Sequence, residues 1–101
     1  MIERHVSFHV LPGRQAEFEA LINQEYAPAM AKQEGFGGVA LLRQSDAPTN
    51  YQMVIRFDSE ETAAGWRASA EHKALSPRLK ALHSGSELTV YAVVGSSALH
   101  G

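Results

Sequence analysis

Three stretches of the chain alternate apolar and polar residues with a period of two, and among them lie two helical patterns, a glycine-rich turn and the short run Val39–Arg43. That succession leaves few folds open, because each period dictates which residues must share a buried face. In the first stretch Ile2, Val6, Phe8 and Val10 alternate with Glu3, His5, Ser7 and His9, which predicts a strand with one apolar face, ended by Pro12-Gly13. From Gln15 to about Lys32, Phe18, Leu21, Ile22, Ala29 and Met30 fall on one stripe of a helix, with a kink expected at Pro28. Gly35, Gly37 and Gly38 surround Phe36 in a turn that leads to a second strand, Val39–Arg43. The turn formers SDAPTN then connect to a third strand carrying Tyr51, Met53, Ile55 and Phe57 on one side, so the two strands should form a hairpin.

The stretch from Phe57 to Leu82 opens with an expected N-cap at Ser59 and acidic residues in the first turn. Trp66, Ala70, Leu75, Leu79 and Leu82 recur at helical spacing, and Pro77 is expected to break or kink the segment, leaving two short pieces with Trp66 and His72 near their junction. Leu88, Val90, Ala92 and Val94 mark a fourth strand, after which Gly95 to Gly101 is expected to fray. The order β-α-β-β-α-β predicts an α+β, ferredoxin-like domain over residues 1–101, with four antiparallel strands and both helices on one face. Under the helices would lie the apolar rows of the first, third and fourth strands. The other face would carry His5, Ser7, His9, Ala40, Leu42, Gln52, Val54, Arg56, Tyr91 and Val93, half apolar, and so should pack on a second copy of the chain.

A net charge of −2 gives no electrostatic reason to bind nucleic acid or a membrane surface. The absence of cysteine removes disulfides, thiolate catalysis and cysteine zinc sites. Glu3, Arg4 and His5 stand where a signal peptide needs an apolar run, so a cytoplasmic protein is expected. Gly35-Phe-Gly-Gly38 lacks the lysine and the strand-to-helix setting of a phosphate loop. His5 and His9, four residues apart on one strand, are separated by about 13 Å and cannot share a metal within a subunit. Hydrogen bonding to neighbours such as Gln52 and Arg56 is the expected use of those imidazoles.

Along nearly its whole length the chain resembles the antibiotic biosynthesis monooxygenase-like domains of the dimeric α+β barrel superfamily. The pieces that carry the resemblance are Val10-Leu-Pro-Gly-Arg-Gln-Ala-Glu-Phe18, Glu34-Gly-Phe-Gly-Gly38, Arg56-Phe-Asp-Ser-Glu60, Trp66 with Ala70-Glu-His-Lys-Ala-Leu75, and Leu88-Thr-Val-Tyr91. The resemblance implies a homodimer with a pocket in each subunit between sheet and helices. It implies an activity drawn from a wide set: cofactor-independent oxidation of aromatics or quinols, haem degradation, or isomerisation of small signalling molecules. In the haem-degrading branch a histidine beyond the tryptophan holds the iron and an asparagine sits on the first strand; Ser76 and Val6 stand there here. In the polyketide-oxidising branch an asparagine on the third strand and a tryptophan at its end assist the chemistry; those positions are Met53 and Phe57.

The function expected is therefore a monooxygenase that oxidises a small aromatic or quinol-like molecule with dioxygen and no cofactor. The alternatives are a non-catalytic dimeric protein that binds a small apolar ligand and, disfavoured by Ser76, a haem-degrading enzyme. His72 is the candidate general base, since imidazole titrates near neutral pH. Trp66, Tyr26, Met53, Phe8 and Phe36 are the candidate substrate-binding residues. Each also reads as ordinary core or, for Phe36, as a turn anchor.

Overall fold

The chain is described here by a computed structural model covering residues 1–97. Residues 98–101, where most of the expected fraying would fall, lie outside the described residues. Strand β1 (Ile2–Val10) is the middle of the assembly: it pairs antiparallel with β3 (Asn50–Phe57) on one side and with β4 (His83–Ala92) on the other. Strand β2 (Phe36–Arg43) pairs with β3 as the expected hairpin, which gives the sheet order β2-β3-β1-β4 of a ferredoxin-like fold. Because side chains alternate across a strand, the register places Val6 beside Met53 and Leu88, and Phe8 beside Tyr51 and Ser86, on a single face.

Over that face lie α1 (Gln15–Leu21), a π-helical turn (Ile22–Tyr26), α2 (Ala27–Ala31), α3 (Glu60–Ala68) and α4 (Ala70–Lys80). Pro28 does not simply kink the first helix. It has no N–H for the carbonyl four residues before it, and the chain answers with a π turn immediately upstream. The core joins Phe18, Leu21, Ile22, Tyr26 and Met30 from this arm to Trp66, Leu75 and Leu79 and to the β3 row Tyr51, Met53, Ile55 and Phe57. Phe18 and Phe57 are completely inaccessible to solvent, and each such ring removed from water contributes about 2–3 kcal/mol.

Three expectations need correction. The break in the second helical segment falls at Ser69, not at Pro77, which sits inside α4. Ser69 adopts an extended backbone (φ −68°, ψ 153°) and caps the new helix, whereas the proline forfeits one hydrogen bond close to the helix end. Strand β4 begins at His83 rather than Leu88 and ends at Ala92. The apolar row of β4 is only partly covered by the helices: Leu88, although it reaches the cavity described below, and Val90 are 48% and 41% exposed, and Val94, beyond the strand, is 97% exposed. The reason is topological, since β4 is an edge strand and the described core draws its strand residues from β1 and β3. On the outer face Leu42 and Tyr91 are about half exposed, and Ala40 is exposed. Among the described residues no helix is long and apolar enough to cross a membrane.

The turn before β2 approaches the start of α3 closely. Ser59 caps α3 in a capping box with Thr62, and Gly35, at φ 81°, lies so near that a Cβ there would stand 2.5 Å from the Thr62 side chain. Gly35→Ala should therefore destabilise the fold by about 2–4 kcal/mol, from left-handed backbone strain added to steric overlap. A urea unfolding midpoint unchanged from wild type would show that the turn and the helix start are not packed in this way.

Candidate active site

The helix break at Ser69 does the positioning. The Ser69 hydroxyl donates to the Trp66 carbonyl (2.7 Å) and accepts from the His72 backbone N–H (3.2 Å), so one side chain ties the last turn of α3 to the first turn of α4. Trp66 and His72 consequently meet edge to face, with ring centroids 5.1 Å apart at 83°. Tyr26, the last residue of the π turn, closes the group: its ring stands 5.2 Å from the indole at 87° and 6.1 Å from the imidazole. Such edge-to-face pairs add about 0.5–1.5 kcal/mol beyond the area they bury.

Beneath this aromatic group is a cavity of about 190 Å³. Its floor is the inner face of the sheet, with Arg4, Val6 and Phe8 from β1, Met53 and Ile55 from β3, and Ser86 and Leu88 from β4. Its roof and rim are Tyr26, Trp66, Arg67, His72, Ser76, Leu79, Lys80 and His83. A cavity of roughly 150 Å³ suffices for benzene, so this one is the size of a single substituted ring.

The lining contains Arg4, Arg67 and Lys80 and no carboxylate. Arg4 is buried at 8% exposure, and its Nη1 has no hydrogen-bond partner among the described residues. Burial, then the charge of Arg67, pulls the Arg4 guanidinium below its usual pKa, against the opposing influence of Glu60 and Tyr26. It stays charged at neutral pH all the same. Burial, followed by the charges of Arg67 and Arg4, lowers the His72 pKa and favours the neutral imidazole, while the Arg67 backbone offsets part of this. His83 is likewise shifted down, chiefly by burial, and its Nδ1 is buried without a partner. Burial pushes the Tyr26 phenol up, with Trp66 and Arg4 pulling partly back. The site is thus a largely apolar, open-sided cavity holding an imidazole shifted toward its neutral form, a buried guanidinium and two exposed cations.

Comparison with known proteins follows the same lines. The family model described as antibiotic biosynthesis monooxygenase matches residues 1–78. The chain belongs to this family. Among solved structures it is similar to SnoaB from Streptomyces nogalater, described as a cofactor-independent oxygenase (24% identity, 94% of each chain covered, TM-score 0.85). It is also similar to a candidate antibiotic biosynthesis monooxygenase from Bordetella bronchiseptica (27% identity, 92% of this chain and 96% of that one, TM-score 0.83). Rv0793 from Mycobacterium tuberculosis shares the fold as well (16% identity, 96% and 98% covered, TM-score 0.82). A search of the curated proteins finds no match.

Of the residues singled out from sequence, Trp66, Tyr26, Met53, Phe8 and His72 all line this one cavity of the family member, as does Ser76. Phe36 does not. Its ring packs edge to face on Phe57, 5.9 Å away, and it is the first residue of β2, which begins here and not at Val39 because Phe36 already pairs with Phe57. His5 and His9 lie on the opposite face. There Gln52 Nε2 donates to His5 Nδ1 (2.9 Å), His5 Nε2 donates to Glu3 (2.6 Å), and Arg56 Nε donates to the other Glu3 oxygen (2.6 Å). His5 and Arg56, in that order, hold the Glu3 carboxyl below its usual pKa. His9 pairs with Asn50 (3.1 Å). Among the described residues no group of three His, Cys, Asp or Glu is placed to hold a metal ion.

Sequence reasoning missed Arg4, Arg67, Lys80 and His83. For Arg4 the signal was present, because period two puts position 4 on the same face as Ile2, Val6 and Phe8. For His83 it was not: HSGSE has no apolar alternation, and the strand there is imposed by pairing with β1 across an irregularity at His9/Val10.

The lowered pKa of His72 has a testable sign. Its NMR titration midpoint should fall below the ordinary 6.5 and move back toward that value in Arg67→Gln. Between the two values the unfolded chain binds more protons than the folded one, so stability should decline as pH drops below 6.5. A midpoint at or above 6.5 would place His72 in open solvent.

Proposed function

We propose that the chain is a homodimeric monooxygenase that oxidises a small, electron-rich aromatic or quinol-like molecule with dioxygen, taking all the electrons from the substrate. One observation carries this reading: a neutral imidazole, His72, shares a mostly apolar cavity with fixed positive charge from Arg4, Arg67 and Lys80. That combination suits a reaction that begins by removing a proton and continues through an electron-rich anion. His72 takes the proton from the substrate hydroxyl, and Arg67 and Lys80, exposed at the rim, steady the resulting oxyanion. The anion reduces dioxygen; one oxygen atom enters a ring carbon and the other leaves as water. A quinol plus dioxygen gives a hydroxyquinone plus water, so the balance needs no outside reductant.

Trp66, Tyr26, Phe8 and Met53 serve as walls that keep a flat ring in place. Ser76, at the cavity, offers no imidazole to an iron, which speaks against the haem-degrading branch. Dimerisation is supported by the family and by the exposed Leu42 and Tyr91 flanking the polar chain Arg56-Glu3-His5-Gln52 on the outer face of the sheet.

Oxygen uptake over a panel of substituted single-ring hydroquinones tests the chemistry. His72→Ala should lower kcat/KM by about 10²–10³ and remove an acid limb that wild type shows below pH 6.5. No uptake with any compound, together with tight binding read from Trp66 fluorescence, would make the protein a binder instead. Light scattering on the eluting protein should give twice the mass of one chain, and a monomer at micromolar concentration would reject the dimer.

A further inference from the structure

Arg4 stands among apolar neighbours in the sheet, with Glu60 the one carboxylate among the described residues near enough to act on it. Its strand neighbours on the inner face are Ile2 and Val6, and its cross-strand partners are Ile55 and Val90, so no residue beside it in the sheet can neutralise it. It is more than nine-tenths buried, Nη1 is unpartnered, and the cavity it lines brings two further cations, Arg67 and Lys80, and no acid. A buried charge of this kind opposes folding unless something of opposite sign meets it. A guanidinium fork matches a carboxylate in shape as well as charge, presenting two parallel N–H donors to two oxygens.

We infer that the cavity takes a single-ring aromatic carboxylate, its carboxylate on Arg4 and its ring against Trp66, Tyr26 and Phe8. This rests on the proposed reading of the cavity as a substrate site and adds the substrate class. The volume of about 190 Å³ accommodates one ring with its substituents. The carboxylate is a permanent charge that fixes orientation, and with Arg4 so occupied Arg67 and Lys80 are the cations left for the oxyanion that forms when His72 takes a hydroxyl proton. Arg4 is thereby a specificity-determining residue, and selectivity for the anion comes from the unpaired donor that a neutral ligand leaves behind.

The probes are benzoate and its neutral counterpart benzamide, followed at pH 7.5 through the fluorescence of Trp66, the one tryptophan of the chain. Benzoate should bind at least tenfold more tightly than benzamide. In Arg4→Met the two should bind alike, while the melting temperature holds or rises by several degrees, because a lone buried charge has been replaced by an apolar side chain of similar length. In Arg4→Lys part of the preference should return. Equal affinity of the two probes in wild type, a preference surviving in Arg4→Met, or a lowered melting temperature for that variant would each overturn the inference, the last by assigning Arg4 to the fold. Oxygen is not consumed in this measurement. A failed oxygenase assay therefore leaves the anion site standing, and a null result here leaves oxidation of uncharged quinols untouched.

Discussion

Everything in this molecule is referred to the register of β1. Flanked by β3 and β4, it is the strand from which both faces of the sheet are set, and a slip of one residue would exchange them entirely. As paired, one row of β1 side chains floors the cavity, and the other row carries Glu3, His5, Ser7 and His9 to the opposite face. The two chemical characters of the protein are therefore the odd and even positions of nine residues. Arg4 is the exception inside the inner row, a cation at a position where packing alone would select an aliphatic side chain.

The helical layer contributes the rest by being interrupted twice. A continuous first helix would not contain the π turn that ends at Tyr26, and a continuous second segment would not have the Ser69 corner that brings Trp66 and His72 ring to ring. Each interruption has a local cause, a proline in one case and a capping hydroxyl in the other. The aromatic group over the cavity is the outcome of both. Its environment then accounts for the imidazole: partial burial and two nearby guanidinium groups disfavour the charged form.

Much of this was legible in the chain, and the failures are instructive. The element order, the hairpin and the Ser59 cap follow from period and capping chemistry that act over a few residues. The cavity residues Trp66, Tyr26, Met53, Phe8 and His72 lie on faces those periods define. What could not be read depended on contacts distant in sequence. Strand β4 extends back to His83 because β1 is there to pair with it, and its apolar row stays partly exposed at the edge of the sheet. Pro77 does not break its helix because the cost of one missing hydrogen bond near a helix end is small beside the packing of Leu75 and Leu79. Arg4 was passed over because an alternating pattern is recognised by its apolar members, so a charge in phase with them reads as noise.

The edge position of β4 also bears on how the chain survives synthesis. Its outer rim presents unpaired backbone groups along a strand with exposed Leu88, Val90 and Tyr91, and Glu87 is the single acidic or basic side chain from Ser84 to Ala92. Strands so lightly guarded by charge are templates for adding further strands. A newly made chain thus carries an open edge on which further strands can stack, and the risk of aggregation is concentrated there.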